Sequence, residues 1–114
     1  MPPTVEDRLR DILETIAEIE DVIRGISVEQ FSSDRRARLL TERLLEIVRE
    51  ASRTIPYLVK QDEPSIDWRK MIDVGNLLRH AYHTTRAETV WDIIQNHLPR
   101  LNSFVKLRIQ AASK

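Results

Sequence analysis

Apolar residues recur at three- and four-residue steps along almost the whole chain, which is the spacing of one helix face. The first stripe is Val5, Leu9, Ile12, Ile16, Ile19 and Ile23, with Thr4 and Asp7 as a capping pair at its start and Gly25 as its stop. Arg24 to Ser33 reads as a connector whose Val28 and Phe31 pin it to the body of the protein. From Asp34 a long second stripe runs through Ala37, Leu40, Leu44, Ile47, Val48, Ala51, Ile55 and Leu58, and Pro56 marks a kink or an end. Gln61 to Asp67 reads as a loop. Asp67 or Ser65 caps a third helix that starts near Trp68 and runs through a cluster of polar residues ending at His83. Thr85 and Glu88 make a capping box for a fourth helix, which buries Val90, Trp91, Ile94 and Leu98. Pro99 either opens a fifth helix or bends the fourth, and Leu101, Phe104, Val105 and Ile109 continue the stripe. Two glycines leave little material for β-turns, and no internal repeat is visible. The pattern predicts an all-α protein: an antiparallel up-and-down bundle of four to five helices, forming one domain over residues 1–114.

Charge changes this picture little. The 18 basic residues balance the 18 acidic ones, so bulk charge does not mark a protein that coats nucleic acid or anionic lipid. The distribution is uneven: residues 1–57 carry nine Lys/Arg against twelve Asp/Glu, and residues 58–114 carry nine against six. Without cysteine there is neither a disulfide framework nor a thiolate metal site. No apolar run approaches the length that crosses a membrane, and the N-terminal residues lack the basic start and apolar run of a signal peptide, so the expected location is the cytoplasm.

The reactive side chains concentrate in Gly75-Asn76-Leu77-Leu78-Arg79-His80-Ala81-Tyr82-His83. At about 100° per residue, Asn76, Arg79, His80 and His83 share roughly a third of the helix circumference, opposite Val74, Leu77, Leu78 and Ala81. Imidazole can accept or donate a proton near neutral pH, and a planar guanidinium pairs with anionic oxygens, so the cluster suits proton transfer beside an anionic group. Metal ligation is a weak alternative, since His80, His83 and His97 have no cysteine, no His-Glu-x-x-His and no clustered carboxylates beside them. A glycine-rich phosphate loop and a recognisable Ser-His-Asp arrangement are also missing, and no cofactor is implied.

These residues resemble a known family. Trp68 opening a helix, the run from Gly75 to Tyr82, then Val90-Trp91-Asp92-Ile93-Ile94 leading into Leu98-Pro99-Arg100-Leu101 look like the HepT-like family of HEPN-domain proteins. Asp7-Arg8-Leu9, Ile12-Leu13, Ser27-Val28-Glu29-Gln30-Phe31 and Ile47-Val48-Arg49-Glu50-Ala51 extend the likeness over nearly the whole chain. The resemblance implies a homodimeric helical bundle that acts as a metal-independent endoribonuclease toxin. It also implies a cognate minimal nucleotidyltransferase antitoxin, which silences the toxin by adding AMP to a tyrosine. The family motif is an arginine, four residues, histidine, any residue and tyrosine. His80 and Tyr82 match it, and Asn76 matches the asparagine that commonly follows the arginine. The arginine position itself is Gly75, with an arginine at Arg79 instead.

The expected site is therefore Arg79 and His80 as catalytic residues, Asn76 and His83 in support, Tyr82 as the AMP acceptor and no metal. Helical side chains lean toward the N-terminus, so the Arg79 guanidinium is expected to reach over Gly75. Each residue also has a plainer reading. Histidines cap helices, Arg79 can pair with Asp73, Tyr82 can pack its ring at a helix end, and Arg38 can pair with Glu42 on a solvated face. Trp68 and Trp91 read as packing anchors, and Ile72 on the polar side of the third helix suggests contact with a second chain. The alternative function is a catalytically inactive HEPN module that binds a nucleotidyltransferase or its nucleotide; an unrelated helical adaptor is the third.

Overall fold

Thr4 begins the first helix as its spacing predicts. Its hydroxyl accepts from the Asp7 N–H at 3.1 Å, and its own N–H donates to the Asp7 carboxylate at 2.9 Å, so two of the donors that a helix start leaves unpaired are satisfied. The computed structural model describes residues 2–80 and 83–112, and for Val74, Leu77 and residues 83–85 the backbone alone. The described residues form helices α1 (Val5–Ile23), α2 (Val28–Ser33), α3 (Arg35–Arg53), α4 (Tyr57–Lys60), α5 (Trp68–Ile72), α6 (Val74–His80), α7 (His83–Asn96) and α8 (Leu98–Ala112), with no strand among them.

Four long helices, α1, α3, α7 and α8, make the bundle, and the short ones are inserted between them. α1 packs against both α3 and α8, and α7 packs against α8 and α2. The shared core contains Ile12, Ile16, Ile19, Leu45, Val48, Ile93, Leu101 and Val105, each at most 1 % exposed. Burial of an aliphatic side chain of this size stabilises by about 1.5–3 kcal/mol. Helix stripes were legible at most of these positions, but Val5, Leu40 and Leu58 are exposed.

Three boundaries differ from the sequence reading. The connector after Gly25 is not all loop: Ser27 and Gln30 form a reciprocal capping box that starts α2, whose Phe31 is fully buried against Trp91, ring centroids 5.3 Å apart. The third helix is two helices. Asp73 caps α5 with its N–H bonded to the Arg69 carbonyl at 2.9 Å, and α6 starts afresh at Val74. α7 begins at His83 rather than after a cap at Thr85, whose side chain lies outside the described residues. Pro99 opens α8 in its first turn, where the missing proline N–H has no helical acceptor to lose.

The loop over 61–67 is fastened to α8. Arg108 forms an ion pair with Asp62, Arg100 donates to the Ser65 carbonyl at 3.3 Å, and Trp68 meets Phe104 edge-on at 5.6 Å. These contacts set where the chain enters α5 and α6.

Candidate nuclease site

α6 is two turns long, and its position comes from its neighbours. Leu78 is buried on the side that faces α3, while Asn76, Arg79 and His80 are exposed. Adjacent residues on a helix diverge by about 100°, so Arg79 and His80 leave the surface on neighbouring strips, with Asn76 one turn before His80. His83 is the first described residue of α7, and its side chain lies outside the described residues. Tyr82 also lies outside the described residues.

The main tether of α6 is Arg86 on α7. Its Nε donates to Glu42 Oε1 of α3 at 2.8 Å, its Nη2 donates to the same oxygen, and its Nη1 donates to the Leu78 carbonyl at 3.2 Å. One guanidinium thus joins α3, α6 and α7. The hydrogen bond to Glu42 holds the Arg86 guanidinium above the ordinary arginine range, and partial burial opposes it. Glu42 therefore pairs across the bundle with Arg86, in place of the expected surface partner Arg38. Its side chain is only 13 % exposed and turned inward toward α7.

Between α3, α6 and α7 lies an open cleft of about 360 Å³. Arg43, Glu42, Glu46 and Arg49 line it from α3, Gly75, Leu78 and Arg79 from α6, and Arg86 from α7. Four guanidinium groups against two carboxylates give it a net positive lining, in a chain whose formal charge is zero. Arg43 pairs with Glu46 at 3.3 Å, and Arg86 is committed to Glu42. Among the described residues, neither Arg79 nor Asp73 takes part in an ion pair.

Gly75 sits against α3. A Cβ built there would have the Arg49 side chain as its nearest neighbour, with Nε at 3.5 Å and Cδ and Cζ at 3.8 Å. The group over the glycine thus comes from α3, whereas the sequence reading placed Arg79 there; Arg79 lines the same cleft one turn further on. Gly75 was the visible signal, since a helical glycine costs about 1 kcal/mol against alanine, although the contact distances at Gly75 are ordinary and leave room for a Cβ. Its partner, on another helix, was not visible from local spacing. Among the described residues no group of three His, Asp or Glu side chains is placed to hold a metal, and no helix is long and apolar enough to cross a membrane.

Comparison with known proteins agrees with this architecture. A family model described as "Ribonuclease HepT-like" matches residues 12–107. The chain is 38 % identical over 104 residues to the "Probable ribonuclease HepT" of Thermococcus cleftensis, which covers 90 % of this chain and 94 % of that one. A protein of Methanocaldococcus jannaschii described as a candidate RNase is 28 % identical over 99 residues, covering 87 % and 91 %. One from Caldanaerobacter subterraneus, described in the same way, is 26 % identical over 102 residues, covering 90 % and 91 %. No solved structure matches. With the matched segment spanning α6, its tether Arg86 and most of the four long helices, the chain belongs to the HepT-like ribonuclease family.

Proposed function

We propose that this protein is a metal-independent endoribonuclease, with His80 and Arg79 as its catalytic residues and Asn76 and His83 in support. The observation that carries the reading is the exposure of the adjacent residues Arg79 and His80 on α6, with Arg79 lining a cleft of surplus positive charge, in a chain of this family.

In the reaction, the 2′-oxygen of the RNA attacks the adjacent phosphorus as its proton passes to a base, and the bond from phosphorus to the 5′-oxygen breaks as that oxygen takes up a proton. The products are a 2′,3′-cyclic phosphate and a 5′-hydroxyl, and no water is consumed. An imidazole can hold or release the proton at neutral pH, and a guanidinium matches two phosphate oxygens with parallel N–H bonds. In a homodimer, two copies of α6 lining one groove would supply acid and base from different subunits.

The same reading makes the protein a cytoplasmic toxin paired with a minimal nucleotidyltransferase, which neutralises it by adding AMP to Tyr82. An anionic nucleotide attached two residues from His80 would occupy the phosphate site and exclude RNA. The second reading, an inactive HEPN module that binds the nucleotidyltransferase or its nucleotide, is favoured by one observation: Gly75 stands where the motif has arginine.

Incubation of the purified protein with RNA in EDTA separates the two. Cleavage leaving 2′,3′-cyclic phosphate ends, lost on His80→Ala, is the expected result; no cleavage with retained nucleotidyltransferase binding selects the second. Co-expression with the nucleotidyltransferase followed by intact-mass measurement tests Tyr82. Mass added in steps of AMP and absent from Tyr82→Phe is expected, and an unchanged mass removes the modification from the proposal.

A further inference from the structure

We propose that Arg49, reaching from α3 across Gly75 into the cleft, is a phosphate-contacting catalytic residue of this site; the inference rests on the ribonuclease reading and deepens it. It starts from the glycine. Nothing in the backbone of α6 demands one at this position: the positive φ that favours glycine occurs only at Gly25 among the described residues. Around Gly25 no atom lies within 4 Å of a built Cβ, so that glycine serves conformation. At Gly75 the reverse holds. The backbone is ordinary helix, and the space beside it is filled by Arg49 Nε, Cδ and Cζ at 3.5–3.8 Å. A Cβ there would stand in ordinary van der Waals contact with Arg49, so the arginine side chain packs directly over the glycine.

The other arginines of the cleft are poorer candidates for holding a fixed anion. Arg86 spends its donors on Glu42 and the Leu78 carbonyl. Arg43 is 67 % exposed and paired with Glu46. Arg49 is only 26 % exposed, and its Nε is buried beside the glycine without a hydrogen-bond partner, which leaves a desolvated donor in the cleft wall. Its one ion-pair contact is to Glu50 at 3.3 Å, a carboxylate that is itself half exposed and shared with Arg53 at 3.1 Å. A partly buried and weakly neutralised guanidinium, lining a positive cleft together with Arg79, is placed to meet a phosphate. Arg79 then contributes charge from α6, and Arg49 the fork from α3.

The test uses the full-length protein and an RNA substrate in EDTA, with a 2′-O-methyl oligonucleotide as the non-cleavable probe. Arg49→Met keeps most of the aliphatic packing and removes the charge; it is expected to lower kcat about 100-fold or more, the usual loss of a transition-state donor, with the melting temperature held. Arg49→Lys recovers only part of the rate, because a point charge lacks the paired N–H geometry. Oligonucleotide affinity in Arg49→Met should depend less on salt, the log–log slope falling by about one. Most diagnostic is the double variant Arg49→Ala with Gly75→Arg, which grows a guanidinium into the same volume from the opposite helix. It is expected to return to within about 10-fold of the parent, an outcome that a purely packing role for Arg49 does not produce.

If Arg49→Met cleaves like the parent with an unchanged salt slope while His80→Ala is dead, Arg49 is overturned and the nuclease reading stands. If the parent does not cleave at all, the nuclease reading fails, and the salt slope alone decides whether Arg49 contacts phosphate.

Discussion

The α1–α3 pair and the α5–α6 pair are built from helices, but different things hold them in place. α1 and α3 have 19 residues each, and both insert a continuous apolar stripe into the core, from Leu9 to Ile19 on one and from Ala37 to Ala51 on the other. Their own length and caps nearly suffice to define them. α5 and α6, with five and seven described residues, are short, and their described apolar contribution is Met71 and Leu78 in the core with Trp68 packed against it. α5 packs on α3 and through Trp68 on Phe104, and α6 is tethered by Arg86. The bundle is thus stabilised by non-directional burial, while the candidate site is positioned by directional polar contacts. Substitutions should separate these two kinds of dependence.

The sharpest separation is expected at His80. His80→Ala should lower RNA cleavage by about 10²–10⁴-fold, the range for loss of a general acid or base, and leave the melting temperature unchanged because the side chain is exposed. A comparable loss of stability would show that His80 belongs to the packing and not to the chemistry. The converse is Leu45→Ala in the core, where the side chain has no exposure. There, chemical denaturation should report a loss of about 2–5 kcal/mol, with cleavage per folded molecule retained.

Between these extremes lies Glu42→Gln, which keeps the shape of the Arg86 contact and removes its charge. The pair is partly exposed, so screening limits the stability change to about 1 kcal/mol. Activity should fall by a larger factor than this implies, because the tether sets the orientation of α6. Equal losses in both would mean that α6 is positioned without Arg86. The smallest effect is expected at the far end of α1. The Thr4 backbone N–H holds the Asp7 carboxyl below its ordinary range. A carboxylate depressed in the folded state stabilises above its unfolded value, about 4 in peptides, and loses that contribution as pH falls through the folded value. Asp7→Asn should therefore flatten the acid limb of a melting-temperature profile below about pH 4, with cleavage untouched.

What was legible in the sequence follows the same division. Burial stripes and capping boxes are local patterns, so the all-α class, the capping pair at Thr4 and the anchoring roles of Trp68 and Trp91 could all be read from spacing. The break at Asp73 could not, because residues on both sides continue the same period and only the turn geometry divides them. The candidate site was half legible. Arg79 and His80 stand out by composition. Glu42, Arg49 and Arg86, by contrast, join it through contacts 44 residues apart in the chain for Arg86 and Glu42, and through the face of a helix read only as core for Arg49. Gly75 marked the place without naming the neighbour.

The single non-helical residue between α5 and α6 carries a consequence for how such a site can evolve. Because Asp73 uncouples the two turns bearing Arg79 and His80 from the segment before them, their angle can drift without disturbing the loop that anchors Trp68 and Arg108 to α8. Under the proposed nuclease reading, exchanging one strut, Arg86 or its acceptor, would re-aim these two groups while the hydrophobic body stays as it is.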